Sequence, residues 1–339
     1  MININNYCAN NPNTPLELTR YSVPQLNAQQ ILIDVNYCGV CHSDLRFIAN
    51  DFGDSQYPLV AGHEIIGTVR ALGSEATHFK IGEKVAVAWQ QGCCGQCTWC
   101  QTEHEEVCEK IEAICLTHRG GFAEQMIVNA DFAYPLPPEL VKAGAAAAPL
   151  LCAGTTIFNA ILSCNVKTGM RVGVIGIGGL GHLAIKFLHA MQCEVIAFSS
   201  TANKKSDAFK FGAKYFIDSI NANAIAEFNN TCDVIIYTPD VNLDYAAFFN
   251  VLKPFGIFCF AGIPNEAPTL PILPLIIGEK SIKAVTCGNR NTINKMLQFV
   301  AKYNILANVE IMPMAEVNQA LEKVAQRKMR YRLVLENKQ

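Results

Sequence analysis

From about Leu16 to Val128 the chain alternates short β-branched runs with Gly, Pro and Asn turns: ILIDVNYCGV, IIGTVRALG, EKVAVAW and EQMIVNA. Runs of this kind, regularly punctuated, predict a mostly antiparallel, barrel-like β domain. The texture then changes. MRVGVIGIG is a continuous apolar run, GLGHLAIKFLHAM carries apolar residues at helical spacing, and CEVIAFSS is apolar again. Strand, helix and strand within about thirty residues make the βαβ unit of a parallel sheet. In that helix Leu180, Leu183, Ala184, Phe187, Leu188 and Met191 should form one apolar face that packs as core. Apolar runs at DVIIYTP and GIFCFAGI extend the sheet to about Val285. A helical segment, TINKMLQFVAKYN, and a last strand, RYRLVLEN, are expected to return to the first domain.

One stretch interrupts both patterns. Residues 143–164 carry no charge and are long enough to span a bilayer, but they include Gly144, Pro149, Gly154, Thr155, Thr156, Asn159 and Ser163. That polar and helix-breaking content fits a buried domain junction better than a lipid-facing helix. A chain of 339 residues is also too long for one ordinary core. Two domains are expected, one of residues 1–151 and 287–339 and one of residues 152–286. A net charge of −2 with no Lys/Arg block gives neither nucleic acid nor an anionic membrane a reason to bind. The N-terminal MININNYCANN lacks the basic and apolar regions of an export signal, so a cytoplasmic location is expected. Fifteen cysteines in such a chain point to metal binding before disulfides.

Four of those cysteines are closely spaced: Cys94-x2-Cys97-x2-Cys100-x7-Cys108. Four thiolates complete a tetrahedral zinc and leave no open position, so this site should be structural and should pin a loop with little secondary structure. An iron–sulfur cluster also uses four cysteines, but the spacing suits a closed zinc site better. Cys93 is one thiol too many for the same tetrahedron. A second set is dispersed: Cys41-His42-Ser43-Asp44, then Gly62-His63-Glu64, then Cys152. Cys41, His63 and Cys152 make three protein ligands and leave a fourth position for water or substrate, as a catalytic zinc requires. Glu64 can ligate when that position is empty, and Asp44 can accept the other ring N–H of His63. Cys38 and Cys41 have redox-pair spacing, but no thioredoxin-like unit surrounds them. Phe47 and Trp89 could line a pocket, though ordinary packing is the default for both.

The third motif is Gly176-Ile177-Gly178-Gly179-Leu180-Gly181, which follows an apolar strand and opens a helix. In that context the glycines let a pyrophosphate reach the helix N-terminus. Where an NAD-binding chain normally places an acid, at the end of the second strand, this one has Ser199, Ser200 and Thr201, then Lys204 and Lys205. Hydroxyls and an ammonium suit a 2′-phosphate, which favours NADP over NAD.

Taken together, CGVCHSDL, YPLVAGHEIIGTV, the four-cysteine lobe, GGFAEQMIV, PLLCAGTT, GIGGLGH, SST followed by KK, and RYRLV resemble the zinc-containing medium-chain dehydrogenases. The likeness is greatest to the branch of cinnamyl alcohol dehydrogenases and NADP-dependent aldehyde reductases. It implies an α/β protein: a GroES-like β-barrel catalytic domain plus a Rossmann domain with a doubly wound parallel sheet, usually dimeric, with two zinc ions per chain. It also implies roles for particular residues. Cys41, His63, Glu64 and Cys152 fall on the catalytic-zinc motif and Cys94, Cys97, Cys100 and Cys108 on the structural one. Ser43 falls on the proton-relay hydroxyl, where it also meets the cofactor. Thr156, Thr238, Gly262, Val285, Thr286 and Cys287 fall where relatives line the cofactor. Two departures stand out: Arg46 occupies the place of a relay histidine, and residues 112–119 are shorter than in plant relatives and lack a tryptophan near Glu112.

The activity expected is hydride transfer between NADP(H) and a primary alcohol/aldehyde pair. An NAD-linked zinc polyol dehydrogenase would call for an acid after the second strand. A zinc-stabilised nucleic-acid module would call for a basic face. A catalytically silent NADPH-binding protein would leave the open metal set without purpose.

Overall fold

The structure, a computed structural model, describes residues 1–338. It divides into two compact units, Met1–Cys152 with Asn289–Gln339 and Ala153–Gly288. The breaks fall after Cys152 and Gly288 rather than after residues 151 and 286, so Cys152 belongs with the first unit.

The first unit is built on a seven-stranded sheet, in which the eleven-residue strand Gln30–Val40 is the spine. One side of it pairs antiparallel with Glu64–Leu72. Its other side is shared: Gln125–Asn129 takes residues 30–34, and the C-terminal strand Arg332–Glu336 takes residues 37–40. The last strand therefore does return to the first unit, and Val309–Pro313 runs parallel beside it. Ile31, Ile33 and Val35 alternate into a core shared with Val85, Val87, Phe122 and Leu333. Each such side chain contributes roughly 1.5–3 kcal/mol by leaving water. A separate hairpin pairs Ile2–Cys8, ahead of the region whose patterning is strand-like, with Glu17–Val23 at the start of that region.

The uncharged stretch lies folded inside the protein. Its first part is a 3₁₀ segment, Gly144–Leu151, packed across the strands Gln30–Val40 and Glu64–Leu72. Its second part is the helix Ala153–Ser163 of the other unit. Ala147, Ala148, Leu150 and Leu151 are buried, which explains the missing charges. Among the described residues no single helix is long and apolar enough to cross a membrane.

The second unit carries a six-stranded, wholly parallel sheet. Its spatial order is Tyr215–Asp218, Glu194–Ser199, Arg171–Ile175, Cys232–Tyr237, Leu252–Phe260 and Ser281–Ala284. The first strand in sequence thus lies between the second and the fourth. Chain order reverses beside it, and ligands of such sheets bind at the carboxyl ends of the strands there. Val195, Ile196, Ala197 and Phe198 are all fully buried, as a strand covered on both faces demands. The helix Gly181–Ala190 buries Leu183, Ala184, Phe187 and Leu188. Leu180 and Met191, expected on the same face, instead flank it as caps and are only partly buried.

Candidate active site and metal centres

The strand Gln30–Val40 runs directly into the helix His42–Ala49, and Cys41 stands at the junction as the helix N-cap. The cap is reciprocal: the Cys41 side chain accepts from the Asp44 backbone, and the Cys41 N–H donates to Asp44 Oδ2 at 2.8 Å. Asp44 is fully buried, and its other oxygen accepts from the Gly62 N–H at 2.9 Å and from His63 Nδ1 at 2.8 Å. One carboxylate therefore ties both sequence motifs together. With Nδ1 donating to it, Nε2 is left as the ring nitrogen that would ligate a metal once it gives up its proton. Gly62 has φ +93, and a Cβ there would meet the Phe122 ring at 2.6 Å, so this close approach needs glycine.

Strand register brings in Glu64. It pairs across the ladder with Gly39, where a Cβ would meet its Oε2 at 1.9 Å; the missing side chain makes room for the carboxylate. Beyond Gly39 lies Val334, so Arg332, on the same strand, meets Glu64 in a buried ion pair. The second carboxylate oxygen, Oε2, is buried without a partner. Cys152 ends the 3₁₀ segment with its sulfur 3.9 Å from that of Cys41. Ligand atoms of Cys41, His63, Glu64 and Cys152 all lie within 4.8 Å of one another. Contact with Cys152, followed by Arg332 and His63, holds the Cys41 thiol well below its usual value despite burial. Burial pushes the Glu64 carboxyl up to about 7 against the pull of Arg332. Against burial, Asp44 and then Cys41 raise the His63 imidazole.

The four-cysteine lobe has little regular structure, a short helix Thr98–Gln101 and a 3₁₀ turn Glu105–Val107 beside a small hairpin. A tetrahedral zinc about 2.3 Å from each sulfur would hold the sulfurs about 3.8 Å apart. Four of the sulfur pairs here measure 3.5, 3.5, 3.9 and 3.9 Å. Backbone N–H groups of Gln96 and Cys97 point at the Cys94 sulfur at 3.5 and 3.4 Å, and they bring that thiol down to about 6. The donor chemistry and spacing of both sets fit zinc. Cys93 is not a member of the lobe set, and Cys38 is a free, buried thiol.

In the second unit the glycine loop leaves the first strand at Gly176, with φ +84, and its N–H donates to Phe198 at 2.8 Å. A Cβ on Gly181 would lie 1.8 Å from the Gly176 carbonyl, whereas one on Gly178 would meet nothing within 4 Å. The third glycine thus packs the helix against the loop, and the second leaves its face open to a ligand; Ile177 between them is buried. Gly179 and Leu180 complete the loop and are partly buried. Thr238 braces this loop through its hydroxyl, which donates to the carbonyls of Ile175 at 2.8 Å and Gly176 at 3.2 Å. Gly262 makes room for the Thr238 and Pro239 carbonyls. Ser199 is buried and accepts from the Thr201 N–H at 3.2 Å, Ser200 is exposed, and Lys204 precedes the helix Lys205–Phe211. The neighbouring strand does supply a carboxylate: Asp218 is in register with Ser199, its Oδ1 accepting from the Ile220 N–H at 3.1 Å. Thr156 donates to the Cys287 sulfur at 3.5 Å, and Val285 and Thr286 stand beside it.

Ser43 is half-buried in the first turn after Cys41. Phe47 lies in the first core and Trp89 packs against it, so packing accounts for both. The sequence reading missed Arg332 and Gly39. A cation inside the apolar run RYRLVLEN was the only available signal for the former, and its partner lies 268 residues away.

Comparison with known proteins agrees with this geometry. The alcohol dehydrogenase GroES-like domain matches residues 27–138, and the zinc-binding dehydrogenase domain matches residues 179–302. An aldehyde reductase of Synechocystis is 38% identical over 329 residues, 97% of both chains. A cinnamyl alcohol dehydrogenase structure from Sorghum bicolor superimposes with a TM-score of 0.93 at 31% identity, covering 99% of this chain and 98% of that one. A Helicobacter pylori cinnamyl alcohol dehydrogenase complexed with NADP(H) gives 0.89 at 26% identity, with the same coverage. The first unit thus has the GroES-like fold and the second the Rossmann fold.

Replacing Asp44 by Ala removes the acceptor that orients His63 and caps Cys41. The expected result is zinc affinity at the Cys41 set weakened about 10–100-fold. Competition with a chromophoric chelator would show zinc released earlier than from the wild-type protein, and no change in the release profile would refute the assignment.

Proposed function

Because the chain belongs to the zinc-containing medium-chain alcohol dehydrogenase family, in its cinnamyl alcohol dehydrogenase branch, we propose that it transfers hydride between NADP(H) and a primary alcohol/aldehyde pair. The observation that carries this reading is the convergence of Cys41, His63, Glu64 and Cys152 on one point, with Asp44 fixing the imidazole. Zinc held there would supply Lewis-acid polarisation of the carbonyl oxygen, and NADPH held at the glycine loop would supply the hydride. A second zinc, held by Cys94, Cys97, Cys100 and Cys108, would have no open position and would take no part in the chemistry.

The chain's own groups do the rest. Asp44 keeps the imidazole in the ligating tautomer, and Glu64 balances Arg332 beside the sulfurs. We assign Ser43, two residues after Cys41, as the hydroxyl that moves a proton at its Oγ. Arg46 cannot extend that route as a base, since a guanidinium stays protonated. Its side chain lies 4.5 Å over the Phe52 ring and 3.8 Å from Asp51. The proton therefore leaves Ser43 without an imidazole at this position.

Cofactor choice rests on residues 199–205, which contain no acid and end on Lys204 and Lys205. Asp218 is the one observation that favours the NAD-linked polyol reading instead. The fifteen cysteines are all free thiols, buried or half-buried, which suits a reducing compartment, and we place the enzyme in the cytoplasm. We also assign it as a homodimer. The edge strand Ser281–Ala284 has every residue exposed, and Leu273, Ile276, Ile277 and Ile282 are exposed apolar side chains around it. An unpaired edge flanked by apolar surface is a site for a second chain.

Kinetics with purified protein test the reaction. NADPH should support aldehyde reduction better than NADH, and Ser43→Ala should lower kcat about 10²–10⁴-fold with zinc content unchanged. A preference for NADH would favour the polyol reading, and unaltered turnover would remove Ser43 from the proton route. Light scattering tests the assembly: Ile276→Glu should halve the particle mass.

A further inference from the structure

The first unit holds a recess that none of the Cys41 set lines: a cavity of about 690 Å³, inside the roughly 300–1,000 Å³ range of small-molecule sites. All of its walls come from that unit. One wall carries Glu103 and Glu105 and is tied to the start of the fourteen-residue helix Arg290–Tyr303. Asn289 Nδ2 donates to the Glu103 carbonyl at 2.6 Å, and the backbone N–H and Nε of Arg290 both donate to Glu105 Oε1, at 2.9 and 3.1 Å. Another wall is the 3₁₀ turn Ala130–Phe132 with the strand Ala133–Pro135 that follows it. His78 Nε2 donates to the Ala130 carbonyl at 3.2 Å and the Asp131 N–H to Asn129 Oδ1 at 3.1 Å, so this wall is fixed as well.

Tyr134 lines the same recess, is only 2% exposed, and its hydroxyl has no hydrogen-bond partner. The charges of Arg290 and Glu105, both in the cavity wall, act on that hydroxyl, so it lies on the cavity side of the ring. A buried hydroxyl left unpartnered is costly, and a group held in the cavity can supply the missing bond. With His78 neutral, the lining carries two net negative charges. Glu105 spends its own on Arg290, whose guanidinium also lies 5.0 Å over the Phe132 ring. The carboxylates of Glu103 and Asp131 are exposed and, among the described residues, meet no hydrogen-bond or ion-pair partner. That unspent charge attracts cations and repels phosphates and carboxylates. A single metal ion does not fit, because the described residues gather three or more metal-binding groups within 4.8 Å of one another only at the two cysteine sets. Carboxylates spread around a cavity suit a ligand whose positive charges are spread as well.

We propose that this cavity is a binding site for a small linear diamine or polyamine. Its ammonium groups donate to the carboxylates of Glu103 and Asp131, and the Tyr134 hydroxyl accepts a further N–H. The amides of Asn291 and Asn294, on the first turns of the helix Arg290–Tyr303, add carbonyl oxygens that accept from the same groups. Methylenes between the charges meet Ala133 and Pro135. The assignment is independent of the proposed reaction, since it needs neither the glycine loop nor the Cys41 set.

Isothermal titration calorimetry on the full, zinc-loaded chain tests this, with zinc content measured before and after. Diaminobutane and spermidine should bind with a stoichiometry of one per chain and weaken as salt is raised. Butylamine, with one ammonium group, should bind about tenfold more weakly than diaminobutane, and butanediol, magnesium and inorganic phosphate should not compete with it. Glu103→Gln and Asp131→Asn, at exposed positions that the fold does not depend on, should each weaken diaminobutane about tenfold. Tyr134→Phe keeps the ring in place and should weaken it as well, with the melting temperature unchanged or raised, since no bond within the protein is lost. No heat with millimolar diaminobutane would overturn the proposal. So would several equivalents bound with an affinity that neither acid variant alters, which is the mark of a merely acidic surface. Tighter binding of butanediol or magnesium than of the diamine, or an affinity in Tyr134→Phe within twofold of wild type, would overturn it equally.

Discussion

Everything at the metal centre hangs on one buried carboxylate. Asp44 accepts from the Cys41 backbone, the Gly62 backbone and the His63 ring, and it is fully buried. An ionised carboxylate in such a place is tolerable only when its oxygens are well supplied with donors. Here those donors belong to two of the ligand-bearing segments. The cost of burying the charge and the precision of the ligand set are thus one problem with one solution. Two chain segments about twenty residues apart have a fixed relation because both are bonded to the same two oxygens.

The two sulfur sites differ in a way that follows from how they are assembled. The lobe takes all its ligands from residues 94–108, so its geometry is a property of one loop. Backbone N–H groups aimed at the sulfurs stabilise the thiolate form within that loop. The other site draws on a helix cap, a strand start and the end of a 3₁₀ segment, and it exists only when the whole first unit is folded. A closed local site suits a role in holding structure. A dispersed site, made by the sheet itself, suits chemistry that needs an open position held rigidly.

How far the sequence disclosed this depends on range. The lobe was legible from spacing alone, and the glycine loop from its strand and helix context. Asp44 was legible because it sits three residues after Cys41. Arg332 was not, because its meeting with Glu64 is set by the register of Arg332–Glu336 against Gln30–Val40, and register between distant strands has no local signal. Likewise Tyr215–Asp218 and Ser281–Ala284 carry no buried residue, so no apolar period marks them as strands. Thr238 and Gly262 were placed at the cofactor by likeness; in the structure Thr238 braces the loop and Gly262 clears space for the Thr238 and Pro239 carbonyls.

Charge explains why the dispersed site holds together before any ion arrives. Two thiolates and the carboxylates of Asp44 and Glu64 would crowd four negative charges around two cations, the guanidinium of Arg332 and the imidazolium of His63. Burial makes that arrangement too costly to keep fully ionised, and Glu64, raised to about 7, can carry a proton in the absence of a cation. A dication would replace that proton and the one on His63 Nε2, so uptake of metal must release protons and must strengthen as pH rises. Arg332 then has a part that no ligand motif records: it keeps Glu64 beside the sulfurs, close enough to share their ion and paired closely enough not to need it. The unpartnered Glu64 Oε2, facing the space Gly39 leaves, is what that balance looks like in the folded chain.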